Sequence, residues 1–127
     1  MKIEISNGEL VDKVSILIIK LEKIEDEKKI NNIEKELNLL LPNLDKIGIN
    51  IKDVLFKKLK KVNLKLWDVE DNLRKLESQG KFDDEFIEMA RQVYYTNDLR
   101  AKIKREININ TGSKLLEEKS YKDYKKR

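Results

Sequence analysis

The apolar residues of this chain recur at helical spacing in four blocks separated by short polar breaks. Leu10, Val14, Leu17, Leu21 and Ile24 follow alternating steps of four and three, the period of a helix with one buried stripe. Ser6 and Glu9 stand ahead of that stripe at capping-box spacing, which predicts a helix starting near Asn7. Ile16 and Ile19 lie off the stripe, so this helix is expected to be buried on more than one side. Residues 2–5 alternate polar and apolar and are expected to be extended. Asp26 is placed to cap a second helix through Ile30, Ile33, Leu37, Leu40 and Leu41, which Pro42 is expected to end, with a loop over 43–50.

A third helix is predicted from about Ile51 to Glu77. Leu55, Leu59, Val62, Leu66, Val69, Leu73 and Leu76 again alternate steps of four and three. That is the seam of a helix packed along its length against near-parallel partners. Ser78-Gln79-Gly80 breaks it. Asp83 or Asp84 then caps the last long helix, which ends near Asn110 with Thr111-Gly112 as its stop. SKLLEEKSY is expected to form a short final helical turn. The predicted fold is all-α: an antiparallel helical bundle of four helices with a long helical hairpin and a short C-terminal helix. It forms a single domain over residues 1–121, followed by a basic tail over 122–127. The hairpin seam outruns the first two helices, which predicts a homodimer.

Composition narrows the chemistry. Of 127 residues, 41% are charged, a level that suits long amphipathic helices. Cysteine and histidine are both absent, which excludes disulfides, thiol catalysis and the commonest general base and transition-metal ligand. The net charge of +4 sits in residues 119–127, with five basic residues and one acid, while the rest balances at 23 of each sign. A basic tail on a neutral body ranks a nucleic-acid role low, and the lysines at 57, 58, 60, 61 and 65 read as a solvated flank of the seam. No apolar run approaches the ~20 residues that span a bilayer. The N-terminus has no signal-type apolar region, so a cytoplasmic location is expected.

The informative stretch is YYTNDLRAKIKREIN, residues 94–108. At ~100° per residue, Asn97, Arg100 and Lys104 continue the face that carries Phe86, Ala90 and Val93. Polar groups on a packing face need partners. Antiparallel pairing about Gly80 sets residues of summed number ~160 opposite each other. That places Asn63 near Asn97, and brings Lys57 and Lys60 toward Arg100 and Lys104. The balancing acid is therefore expected from the first helix (Asp12), from a dimer mate or from a bound anion. Three readings follow: a structural network, an anion pocket lined by Asn97, Arg100 and Lys104, or a metal site using Glu9, Asp12, Glu70, Asp71 or Asp98.

Four segments, NGELVDKVSILIIKLEKI, LWDVEDNLR, FDDEFIEMARQVYYTNDLRAKIKREIN and GSKLLEEKSY, together resemble an uncharacterised family of small bacterial and phage helical proteins. The resemblance spans about residues 3–121. It implies no established activity; the resemblance implies a setting near glycosyltransferase and surface-polysaccharide functions. Its motif positions are Glu9, Asp12, Lys13, Trp67, Glu70, Asp71, Arg74, Asn97, Asp98, Arg100, Lys104, Glu118 and Lys119. A looser similarity is to all-helical nucleoside-triphosphate pyrophosphatases, which bind magnesium through paired carboxylates on two helices. Glu9-x-x-Asp12 and the adjacent Glu70-Asp71 echo that pattern, but the first-helix ExxE is missing.

The leading expectation is a binding or accessory protein, with no cofactor and a polar inter-helix pocket for a small anionic ligand or partner. Its candidate ligand-binding residues are Asp12, Lys13, Glu70, Arg74, Asn97, Asp98, Arg100 and Lys104, with no metal. The alternatives are a magnesium-dependent hydrolase of nucleotide-like phosphates and a nucleic-acid binder.

Overall fold

The computed structural model describes residues 1–120 and Tyr124. Four helices carry the chain: α1 (Asn7–Lys23), α2 (Glu27–Lys46), α3 (Val54–Ser78) and α4 (Asp84–Thr111). The fold is all-α, and α1 is its hub, touching each of the other three. Leu10, Val11, Val14, Leu17 and Ile19 are all buried, which matches the two-sided pattern of the first stripe. The third stripe packs as expected: Leu59, Val62, Leu66, Val69 and Leu76 are buried, and α3 and α4 form the long hairpin. Its turn uses Gly80 at φ 64°, a left-handed conformation that glycine adopts without a steric penalty. No helix among the described residues is long and apolar enough to cross a membrane.

Local chemistry sets the ends. Ser6 Oγ accepts from the Glu9 N–H at 3.1 Å, and Asp26 accepts from Lys28 and Lys29, so both caps predicted from sequence are made. Asp83 caps α4, and Gly112 at φ 64° terminates it. Two boundaries differ from expectation. The second helix runs through Pro42 to Lys46, because its last turn carries Leu44, buried against the core; tertiary burial outweighs one lost backbone hydrogen bond. The third helix starts at Val54 rather than Ile51. Asn50 and Asp53 close a tight turn first, with the Asp53 carboxylate accepting from the Asn50 N–H at 2.8 Å.

The expected short C-terminal helix is not formed over 113–120; this segment has no regular secondary structure. Leu115 and Leu116 are both exposed, so a helix there would have no apolar face to bury, and so short a helix is unstable alone. The segment instead doubles back beside α4. The expected basic tail, apart from Tyr124, lies outside the described residues.

Candidate functional site

The polar ridge of α4 meets the N-terminal half of α1. Asp12 is 1% exposed, and such a carboxylate needs a cation and further donors to be tolerated. Arg100 supplies two: its Nε donates to Asp12 Oδ1 at 2.9 Å and its Nη2 to Oδ2 at 2.5 Å. This is the bidentate geometry in which charge-assisted bonds are strongest. From α3, Asn63 Nδ2 donates to Asp12 Oδ1 and to Ser15 Oγ, both at 2.8 Å. Ser15 Oγ in turn donates to the Asp12 carbonyl at 2.8 Å. One turn along α4, Lys104 Nζ lies 2.6 Å from Glu9 Oε2 and 4.0 Å from Asp12 Oδ2. The hydrogen bond to Asp12 holds the Arg100 guanidinium above its ordinary value, against the opposing effect of burial. Asn97 accepts from Arg100 at 3.4 Å at the edge of the network.

Close helix contact makes this possible. Gly8 lies so near α4 that a Cβ there would run into the Lys104 carbonyl oxygen and sit 3.0 Å from Asn108 Oδ1. Asn108 accepts from the Gly8 N–H at 2.6 Å, and Ser113 Oγ accepts from the Asn7 N–H at 2.9 Å. With Ser6 capping Glu9, the free donors of the first turn of α1 are satisfied from α4 and the segment after it.

That returning segment forms the far wall of a cleft of about 750 Å³ along α4. Ser6 Oγ donates to Glu117, Lys104 lies 3.8 Å from the same carboxylate, and Arg105 lies 3.0 Å from Glu118. Farther along, Tyr124 meets Tyr94 edge-on and Tyr95 at a tilt, at 5.3 and 5.1 Å between ring centroids. Desolvation, followed by hydrogen bonding to Asp98, pushes the Tyr124 hydroxyl up to about 12.

A model described as a family of unknown function (DUF6165) matches residues 1–125. The chain belongs to this family. No curated protein and no solved structure matches it. Membership brings no assigned residue role, so the functional reading rests on the geometry.

The structure brings Asp12, Asn97, Arg100 and Lys104 together, and the acid that answers Arg100 is Asp12. Asp98 lines the cleft beside them. Lys13 is exposed, 4.0 Å from Glu9. Glu70 and Arg74 are exposed on α3 and do not line the cleft, although the charge of Glu70 reaches Arg100. The expected approach of Lys57 and Lys60 to Arg100 and Lys104 gives way to another arrangement, in which Lys60 pairs with Glu22 of α1 at 2.5 Å. Among the described residues, no group of three or more ligating side chains is placed to hold a metal ion. Glu9 and Asp12 are engaged by cations instead, so the donor set of the magnesium reading is not assembled there.

Sequence reasoning missed Ser15, Lys102, Arg105, Asn108 and Glu117, and it set Asn63 near Asn97, whereas its bonds run to Asp12 and Ser15. Asn108 was visible in principle: it extends the ridge of residues 97, 100 and 104 by one more step of four. Lys102 and Arg105 lie on α4 beside that ridge and Ser15 lies one turn from Asp12 on α1, whereas Glu117 is brought by the segment after α4 and leaves no local pattern.

Proposed function

We propose that this protein is a binding or accessory protein whose cleft between α4 and the returning C-terminal segment takes an anionic ligand or an anionic group of a partner. The observation that supports this most is the charge lining the cleft. Five basic side chains, Arg100, Lys102, Lys104, Arg105 and Lys119, line the cleft with three acidic ones, Asp98, Glu117 and Glu118; Arg100 and Lys104 are also answered from behind by Asp12 and Glu9, so the charge offered to a ligand rests on the exposed Lys102 and Arg105. Lys102 and Arg105 are exposed, so they reach a ligand without leaving a buried position. The volume falls within the ~300–1,000 Å³ typical of small-molecule sites. The reading is binding rather than catalysis because Asp12, the most buried acid, is already engaged at both oxygens, by Arg100 and Asn63 at Oδ1 and by Arg100 at Oδ2.

A thermal-shift screen with pyrophosphate, nucleotides and sugar nucleotides, each with and without magnesium, tests this reading. A ligand that binds only the folded state raises the melting temperature. The expected result is a rise with an anion in the absence of magnesium, reduced by combining Lys102→Ala with Arg105→Ala. A flat response to every anion ends the reading.

A further inference from the structure

The cleft is already partly filled by the protein's own acids. Glu117 and Glu118 are neighbours in sequence, and they engage Lys104 and Arg105, neighbours on α4, at 3.8 and 3.0 Å. The Glu117 carboxylate also accepts from Ser6, an N-cap residue that is itself 2% exposed. The segment that brings these acids has no helix to hold its shape and leaves Leu115 and Leu116 exposed. Ser113 anchors its start to Asn7 and Asn108, and around the cleft Glu117 and Glu118 make polar contacts: the Ser6 hydroxyl, a half-buried ion pair to Lys104, an exposed one to Arg105, and the Arg105 contact to the Glu117 carbonyl at 3.5 Å. Such contacts contribute little each and are weakened by salt. By contrast, the Arg100–Asp12 and Lys104–Glu9 pairs behind the cleft lie deeper and join two packed helices.

We propose that the Glu117 and Glu118 side chains, carried on the wall of the cleft, are tethered occupants of its anion site, and that the ligand carries two adjacent anionic groups that take the places of their carboxylates. This rests on the binding reading above and adds both the ligand's charge pattern and how its access is controlled. Binding releases Glu117 from Ser6 and Lys104, and Glu118 from Arg105, so the ligand and the segment compete. The apparent affinity is then lowered by the fraction of molecules in which the segment occupies the site. A diphosphate and a short dicarboxylate share the required chemistry.

The test uses the full chain, with inorganic pyrophosphate and succinate as the two probes and orthophosphate as the single-anion control. Titration calorimetry compares the natural protein with the Glu117→Gln, Glu118→Gln double variant, whose fold is checked by its melting curve. The expected result is that pyrophosphate, succinate or both bind more tightly than orthophosphate. The double variant tightens that binding about fivefold, the ratio carried together by two partly exposed ion pairs. The backbone resonances of residues 115–119 are expected to move toward random-coil positions when the probe is added to the natural protein. Which probe wins identifies phosphate or carboxylate as the source of the paired charge. Binding with the resonances of 115–119 left at their folded positions, and equal affinity in the double variant, overturns the tethered occupant and leaves the binding reading standing. The absence of binding to either protein overturns both.

Discussion

The Arg100 guanidinium and the Asp12 carboxylate form a two-point pair between residues 88 positions apart in the chain, and the pair is asymmetric. Asp12 is 1% exposed, whereas the Arg100 side chain is 29% exposed and borders the cleft. Arg100→Ala leaves a buried carboxylate short of its main cation, and is expected to cost about 3 kcal/mol. Asp12→Ala costs less, because the arginine can turn toward water. Replacing both at once, Asp12→Leu with Arg100→Met, is expected to be milder than Arg100→Ala alone, since no uncompensated charge remains. Urea unfolding of the three variants measures this. A double variant less stable than Arg100→Ala alone would mean that the two side chains do not act as a unit.

Gly8 is constrained by space rather than by backbone angle. A methyl group there meets the Lys104 carbonyl and disturbs the Gly8–Asn108 hydrogen bond. Gly8→Ala should therefore destabilise the protein by about 1–3 kcal/mol, the range for overpacking a tight contact. An exposed control such as Lys13→Ala should stay within about 0.5 kcal/mol. The comparison is made by chemical denaturation, and equal stabilities would show that α1 and α4 do not approach so closely.

These two cases mark what was legible in the sequence. The four helices were, because their stripes and caps are local: Ser6, Asp26 and Gly112 each act within a few residues. The Arg100 ridge was legible as a demand for an acid, and Asp12 stood among the candidates. Gly8 and the bond from Asn63 to Asp12 were not, because those roles exist only once α1, α3 and α4 meet. Pro42 misled for the same reason, since the burial of Leu44 that carries the helix past it is a tertiary effect. The expected C-terminal helix failed because Leu115 and Leu116 have nothing to pack against.

Thr96 is 3% exposed, and among the described residues its hydroxyl has no hydrogen-bond partner. An unpaired buried hydroxyl costs free energy, and an apolar group of the same shape removes that cost. Thr96→Val should therefore leave the protein as stable as before or raise its stability by up to about 1 kcal/mol. A clear loss in thermal unfolding would show that the hydroxyl is engaged.

Tyr124 carries an alkaline pH dependence. Its hydroxyl is pushed from the ordinary 10.0 up to about 12, first by desolvation and then by Asp98. The folded state thus holds this proton more tightly than the unfolded chain. Its contribution is complete below pH 10 and is lost as pH rises through the 10–12 window. Tyr124→Phe should remove that component. The difference between the two proteins in melting temperature across pH 9–12 measures it, and parallel curves would contradict the shift.

The central claim, that the cleft along α4 receives an anion, is tested most directly by mapping amide chemical shifts during a pyrophosphate titration of the full chain. The account predicts saturable shifts concentrated at Lys102, Lys104, Arg105 and residues 117–119. Shifts centred on the exposed lysines of α3, or none at any concentration, would contradict it.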